Sequence, residues 1–240
     1  MLNNFLFVAL PYAALAVFLV GTIFKYKSLK FQYSSLSSQF LEGNRLFWGI
    51  VPFHWGISVI FLGHLTAFLV PRGILAWNGH PVRLLILEIS AFAFAVSALL
   101  GLIVLLHRRL TNERLKVVTN RMDLVIEWLL LIQIVLGGWT ALGYRWGSSW
   151  FASDLSPYLW SIFRFQPQTA AVEQLPLIVK LHIVGAFLIL MIFPFTRLVH
   201  FLVAPFHYMW RPYQRVIWNW DRRTVRRPDS VWNQHPPRNN

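Results

Sequence analysis

The stretch Phe53-His54-Trp55-Gly56-Ile57-Ser58-Val59-Ile60-Phe61-Leu62-Gly63-His64 decides how the chain is read. It carries no charged residue, yet it holds two histidines ten positions apart. Extended to Phe47–Val70, it exceeds the roughly 20 apolar residues that a helix needs to cross a bilayer. An imidazole at membrane depth is costly unless it has a partner. The stretch is therefore expected to be a transmembrane helix that holds something with its histidines.

Outward from it lie four more apolar blocks: Phe5–Phe24, Arg83–Leu106, Asp123–Gly143 and Leu177–Val203. Of the 240 residues, 56% are hydrophobic and 13% charged, about half the charged share of a typical soluble domain. The mean hydropathy is +0.51. The expected fold is an all-α integral membrane bundle of five transmembrane helices over residues 1–213, followed by a basic tail at 214–240. The fifth block is longer than a bilayer requires and is expected to tilt or protrude. Pro11, Pro52 and Pro194 lie within blocks and are expected to kink them, with neighbouring helices satisfying the freed carbonyls. Met1–Leu10 has no Lys or Arg, so the first block is read as a retained helix, not a signal peptide.

There is no cysteine, which excludes disulfides, zinc–thiolate sites and iron–sulfur clusters from this chain. A net charge of +13 raises the question of nucleic acid in a soluble protein. No motif supports such a partner here, and the basic residues sit in loops, as the positive-inside rule requires. Lys25, Lys27, Lys30 and Arg45 lie in the first loop; Arg108, Arg109, Arg114, Lys116 and Arg121 in the third; Arg211, Arg215, Arg222, Arg223, Arg226 and Arg227 in the tail. The second and fourth loops are poor in net positive charge. This alternation puts the N-terminus outside and the C-terminus in the cytoplasm. The fourth loop, Tyr144–Pro176, is rich in aromatic residues, including Trp146, Trp150, Phe151, Tyr158 and Trp160. It is expected to lie on the outer membrane surface, or to form a lid over a lipid-soluble substrate.

Four histidines fall inside the blocks: His54 and His64 in the second, His182 and His200 in the fifth. With the second helix running outward and the fifth inward, depth pairs His54 with His200 and His64 with His182. On a straight helix, His182 and His200 lie five turns and ~27 Å apart on one face. His54 and His64 are ~15 Å apart and offset by about 80°. A kink or a crossing must absorb the mismatch, leaving the two pairs roughly 20 Å apart. Paired axial histidines hold a haem with no open position, which suits electron transfer. Two b-type haems, with His54, His64, His182 and His200 as iron ligands, are the expected cofactors. A proton relay, a divalent metal site and purely structural histidines are the alternatives. Gly56, Gly63 and Gly185 lie beside the histidines and would let a flat macrocycle approach, although glycine also serves helix packing. Two haems at two depths need a lipid-soluble two-electron donor, which suggests a quinol, and a protein acceptor. His80, His107, His207 and His235 read as interfacial or solvated.

These residues resemble the gamma subunit of respiratory nitrate reductase, a di-haem cytochrome b. The likeness is carried by Phe53-His54-Trp55-Gly56-Ile57, Gly63-His64, Leu181-His182 and Phe193-Pro194-Phe195-Thr196-Arg197-Leu198-Val199-His200. It extends to Pro11-Tyr12, Ser37-Ser38-Gln39, Arg108-Arg109-Leu110, Gln133 and Leu136-Gly137, and reaches about Tyr213. The resemblance implies that the outer pair takes electrons from menaquinol or ubiquinol. It implies that the inner pair passes them to a cytoplasmic iron–sulfur subunit, which feeds a molybdenum catalytic subunit that reduces nitrate. Protons would then be released outside and consumed inside. The location implied is a bacterial or archaeal cell membrane. Arg108 or Arg109 would neutralise haem propionates, and Trp210–Trp220 would dock a partner or lie on lipid. The family places a basic residue at the outer start of the third helix. Arg83 is the candidate here, but arginine cannot donate a proton as a tuned lysine can. Arg83, Gly63 and Trp77 are the candidate quinone-site residues. A homologous subunit of a nitrite-oxidising or sulfur-reducing complex, a histidine-dependent transporter or proton channel, and a haem-free anchor for a cytoplasmic enzyme remain as alternatives.

Overall fold

The computed structural model describes residues 2–28 and 46–202. The basic tail at 214–240, Trp210–Trp220, Ser37-Ser38-Gln39 and several loop cations (Lys30, Arg45) lie outside the described residues. Five helices are long and apolar enough to cross a membrane: Leu2–Ser28, Phe47–Leu69, Pro81–Thr111, Arg121–Gly143 and Leu177–Phe195. Among the described residues all regular structure is helical. Between 11% and 28% of the most apolar window in each span is buried, so most of that apolar surface faces outward. Water would penalise such a surface and lipid does not. The chain is a multi-pass membrane protein.

The spans pack second on third, third on fourth, fourth on fifth and fifth on first. The second and third make the closest approach. A Cβ on Gly56 would lie 2.5 Å from the Phe94 carbonyl, and one on Gly101 2.5 Å from the Phe53 nitrogen. Only glycine lets the two backbones meet this closely, as small residues do at membrane helix interfaces. Gly56 is thus occupied by helix packing and not by a macrocycle. Gly185 is likewise turned toward the Gln133 side chain. Gly63 alone of the three borders open space, with nothing within 4 Å of its Cβ position.

The prolines act in different ways. Pro11 lacks the N–H that would bond the Phe7 carbonyl. The helix widens into a π-turn over Phe5–Ala9, and the Tyr158 hydroxyl donates to the Phe7 carbonyl at 2.8 Å instead. Pro71 follows Leu69 closely and starts the short helix Pro71–Asn78, so the second span stops there. Pro194 ends the fifth α-helix where a kink was expected. The α-helix runs Leu177–Ile192, and 3-10 turns follow at Phe193–Phe195 and Arg197–Phe201 around an extended Thr196.

The fourth connection does not simply lie on the surface. It folds into short helical segments (Gly147–Trp150, Phe151–Leu155, Ser156–Phe163, Ala170–Glu173). Leu155, Tyr158, Ile162 and Val172 form a buried cluster with Phe7 of the first span and Val179 and Ile183 of the fifth. Its aromatic content supplies core as well as interface. Burial also pushes the Tyr158 phenol above its ordinary pKa.

Candidate cofactor site

The histidines occupy two ends of the bundle. The basic end carries Arg108, Arg109, Lys116, Asp123 and Arg197; the aromatic end carries Trp77, Phe151 and Trp160. The second and fifth spans are not close-packed on each other. At the basic end they face each other through His54 and His200, whose ring centres are 6.0 Å apart with planes inclined by 56°. Two imidazoles gripping one metal from opposite sides have ring centres about 6 Å apart, from a metal–nitrogen bond of ~2 Å and a ring radius of ~1 Å on each side. Phe61 and Phe201 meet beside this pair at 5.4 Å.

The break at Pro194 accounts for the mismatch between the two histidine intervals. From His182 to the end of the α-helix at Ile192 is ten residues, a rise of ~15 Å that equals the His54–His64 rise. The last turns then present His200 from the side, not one helical face further on. Five α-helical turns between His182 and His200 do not occur.

Ring nitrogens are the next test of fit. His54 Nδ1 lies 2.9 Å from the Ile50 carbonyl, His64 Nδ1 2.8 Å from that of Ile60, and His200 Nδ1 2.6 Å from that of Arg197. In each, an Nδ1–H donated to the carbonyl leaves the Nε2 lone pair for a metal, the usual second-shell arrangement. His54, His64 and His200 are exposed, at a depth where an uncovered imidazole is costly. His182 differs. Its Nδ1 is buried without a hydrogen-bond partner, and the ring edge lies against Gly137, 3.0 Å from that residue's Cβ position. Gln133 Nε2 donates to the His182 carbonyl at 2.9 Å and fixes its backbone. Phe151 packs edge-on against His64 at 5.2 Å. Among the described residues no three His, Asp or Glu side chains converge as a metal-ion cluster. The donor set is paired imidazoles, and it fits a flat macrocycle better than a small ion.

Several residues that support the site carry no obvious signal in the sequence. Arg197 Nε donates to Asp123 Oδ1 at 2.8 Å, and its Nη2 donates to the Val118 carbonyl at 2.9 Å. This ties the His200 turn to the start of the fourth span. Asp123 is 2% exposed and also closes a reciprocal cap with Asn120. The Asn120-x-x-Asp123 spacing was the readable clue. Arg109 is already engaged: its Nε lies 2.7 Å from Glu127 Oε1 and its Nη1 3.5 Å from Asp123 Oδ2. Arg108 is buried at the same end.

At the aromatic end, Arg83 lies over the Trp77 ring at 5.5 Å, and Trp77 Nε1 donates to the Arg83 carbonyl at 3.2 Å. Two of the three candidate quinone-site residues are thus in contact, while Gly63 borders open space one residue from His64. Two cavities lie away from the histidines. One, of about 470 Å³, is an apolar groove between the third and fourth spans beside Phe92 and Trp139. The other, of about 380 Å³, lies between Arg72 and Arg164.

Residues 3–219 match the family described as nitrate reductase gamma subunit. The nitrate reductase gamma chain of Bacillus subtilis is 31% identical over 209 residues, covering 85% of this chain and 93% of its own length. The respiratory nitrate reductase 2 gamma chain of Escherichia coli is 34% identical over 221 residues, covering 90% of this chain and 96% of its own. The Escherichia coli respiratory nitrate reductase 1 gamma chain is 32% identical over 220 residues, with 90% and 97% covered.

Proposed function

The chain belongs to the nitrate reductase gamma subunit family, and we propose that it is the quinol-oxidising, di-haem cytochrome b of such a complex. The observation that carries this reading is the His54–His200 pair, two rings 6.0 Å apart on spans that are otherwise separated. His64 and His182 form the second pair, on the outer halves of the same two spans. The basic end faces the cytoplasm by the positive-inside rule, which sets His64 and His182 on the outer side.

Haem, when bound, supplies one-electron chemistry between ferric and ferrous iron. The chain's own residues decide the rest. The backbone carbonyls of Ile50, Ile60 and Arg197 orient three imidazoles and fix their tautomer. Arg197 and Asp123 hold the His200 turn in place. Arg108 and Arg109 are the candidates for a haem propionate, with Arg109 also shared between two carboxylates. Quinol enters from lipid beside Gly63, where the open space lies, and Trp77 with Arg83 forms one wall. Arg83 positions the quinol by charge and hydrogen bonding, and arginine does not serve as a proton donor. Electrons pass inward to an iron–sulfur subunit and on to a molybdenum subunit, where nitrate is reduced. Protons released outside and consumed inside charge the membrane.

A reduced-minus-oxidised spectrum of the purified chain tests this. Two b-type haems per chain are expected, and absence of haem would sink the proposal. His64→Ala should lose the outer haem and keep the inner. Loss of the inner haem alone would overturn the pairing by depth.

A further inference from the structure

Quinol oxidation releases two protons, and Arg83 cannot take them. We propose that the polar knot of Asn78, Glu88, Ser148 and Trp150 is a hydrated proton exit, with the Glu88 carboxylate as its proton carrier. The proposal rests on the quinol-oxidising role argued above.

The knot joins three elements at the aromatic end. Glu88, on the third span, accepts on one oxygen from both the backbone N–H of Ser148 at 2.9 Å and its hydroxyl at 2.7 Å. Asn78, next to Trp77, donates to the Ser148 and Ser149 hydroxyls at 2.9 and 3.0 Å. Ser148 begins the same connection whose Phe151 lies against His64. The knot is therefore joined through the chain to both sides of the proposed quinol site, to Trp77 through Asn78 and to the Phe151 cover over His64 through Ser148.

Its polar atoms are incompletely matched. Asn78 Oδ1 and Trp150 Nε1 are buried without partners. The second oxygen of Glu88 and the Trp150 indole nitrogen both lie 3.9 Å from the Cβ position of Gly147. An unpaired donor and a carboxylate oxygen thus flank one spot beside residue 147, which has no side chain. Unpaired buried polar atoms in a native fold call for an explanation, and ordered water is the usual one. A water there would find the two to four polar partners that buried water needs.

Glu88 is suited to carry protons and not only to hold the knot together. Among the described residues no cation pairs with it. The other charged or titratable groups near the knot along the chain are Arg72, His80, Arg83, Tyr144, Arg145 and Asp154, with Asp154 bound by Ser153; His107, Arg108 and Arg109 lie at the opposite end of the third span. The balance closes simply. Quinol loses two O–H protons and two electrons; the electrons leave singly to ferric haem, and the product is quinone. Each proton passes through water to the free Glu88 oxygen and then to outer water before the next arrives.

The test is Glu88→Gln in membranes holding the assembled complex, with duroquinol as donor. Glutamine keeps an oxygen for both Ser148 bonds and cannot titrate. The expected result has three parts: unchanged haem content, a quinol-dependent rate at least ten-fold lower with the low-pH limb of its profile gone, and loss of a carboxyl band from the redox-triggered infrared difference spectrum. Wild-type rate, profile and band in the variant would overturn the proposal while leaving the quinol-oxidising role intact. Loss of the outer haem in both Glu88→Gln and Glu88→Ala would overturn it too, by making Glu88 a structural residue. If wild type itself took no electrons from duroquinol, the underlying role would be what failed.

Discussion

The two histidine pairs are held by different forces. At the basic end His200 sits on a short 3-10 turn, outside any regular α-helix. That turn is pinned by an ion pair, Arg197 to Asp123, and by a donated bond to the Val118 carbonyl. At the aromatic end both histidines sit on regular α-helix, and packing holds them: Gly137 against His182, Phe151 against His64. The difference follows from depth. Near the membrane edge a charged pair can keep some contact with polar surroundings, so electrostatics can anchor a chain that has left its helix. Arg197 and His200 lie beyond the end of the fifth span, whereas His64 and His182 lie within theirs, where charges are expensive and shape must serve. The two ends should therefore fail to different substitutions.

The largest effect is expected from Gly137→Leu. A Cβ there already lies 3.0 Å from His182 Cε1, and the rest of a leucine would push the imidazole from its place. Overpacking costs typically about 1–3 kcal/mol, and here the strain falls on a ligand. Most of the outer haem absorbance should vanish while the inner haem persists. Gly138→Leu is the matched control, because nothing lies within 4 Å of its Cβ position. Haem difference spectra of the two variants read the contrast. Equal haem loss in both would mean that packing at Gly137 is not what holds the outer pair.

Asp123→Ala addresses the other end. Removing a carboxylate that is 2% exposed strands Arg197 and part of the charge on Arg109. Breaking a buried pair by deleting one partner costs about 3–5 kcal/mol. Both arginines are partly exposed, which favours the low end, about 3 kcal/mol. The inner haem should become heterogeneous or substoichiometric in its redox titration, and the outer haem should not. Since Asp123 is buried, added salt should change this contrast little. An inner haem that titrates normally in the variant would remove the ion pair from the account.

The same division explains what could be read in the sequence. The five spans follow from apolar blocks of bilayer length, a property that local composition fixes. Loop charge and depth alone predict that His54 and His200 share one end, where their ring centres are 6.0 Å apart. Three features escaped. The fifth helix is expected to kink at Pro194 and instead ends at Ile192, because proline in a membrane helix can either kink or stop it, and only the neighbours decide. The aromatic residues of the fourth connection predict a surface loop or a lid, whereas Tyr158 is core and its hydroxyl bonds the carbonyl four residues before Pro11, itself 147 residues earlier in the chain. Gly56 and Gly185 suggest either cofactor clearance or helix packing, and the facing backbone and side chain decide for packing. In each case the missing information was long-range.

Tyr158 offers the smallest and most specific test. Its hydroxyl donates to the Phe7 carbonyl, four residues before Pro11, which has no N–H to offer it. Tyr158→Phe should cost about 1 kcal/mol, the net worth of one such bond, with some addition for the stranded carbonyl. Burial raises the phenol's pKa in the folded chain, so the folded state holds that proton more tightly than the unfolded state does. The associated stability is fully present below the ordinary tyrosine value of about 10 and is lost as pH rises through the raised folded value. Thermal unfolding in detergent, followed from pH 8 to 11, should thus show an alkaline decline that is shallower in Tyr158→Phe. Neither haem spectrum should change. Loss of the outer haem in this variant would mean that the first span's attachment also positions the outer histidine pair, and the two ends would no longer be separable by packing against charge.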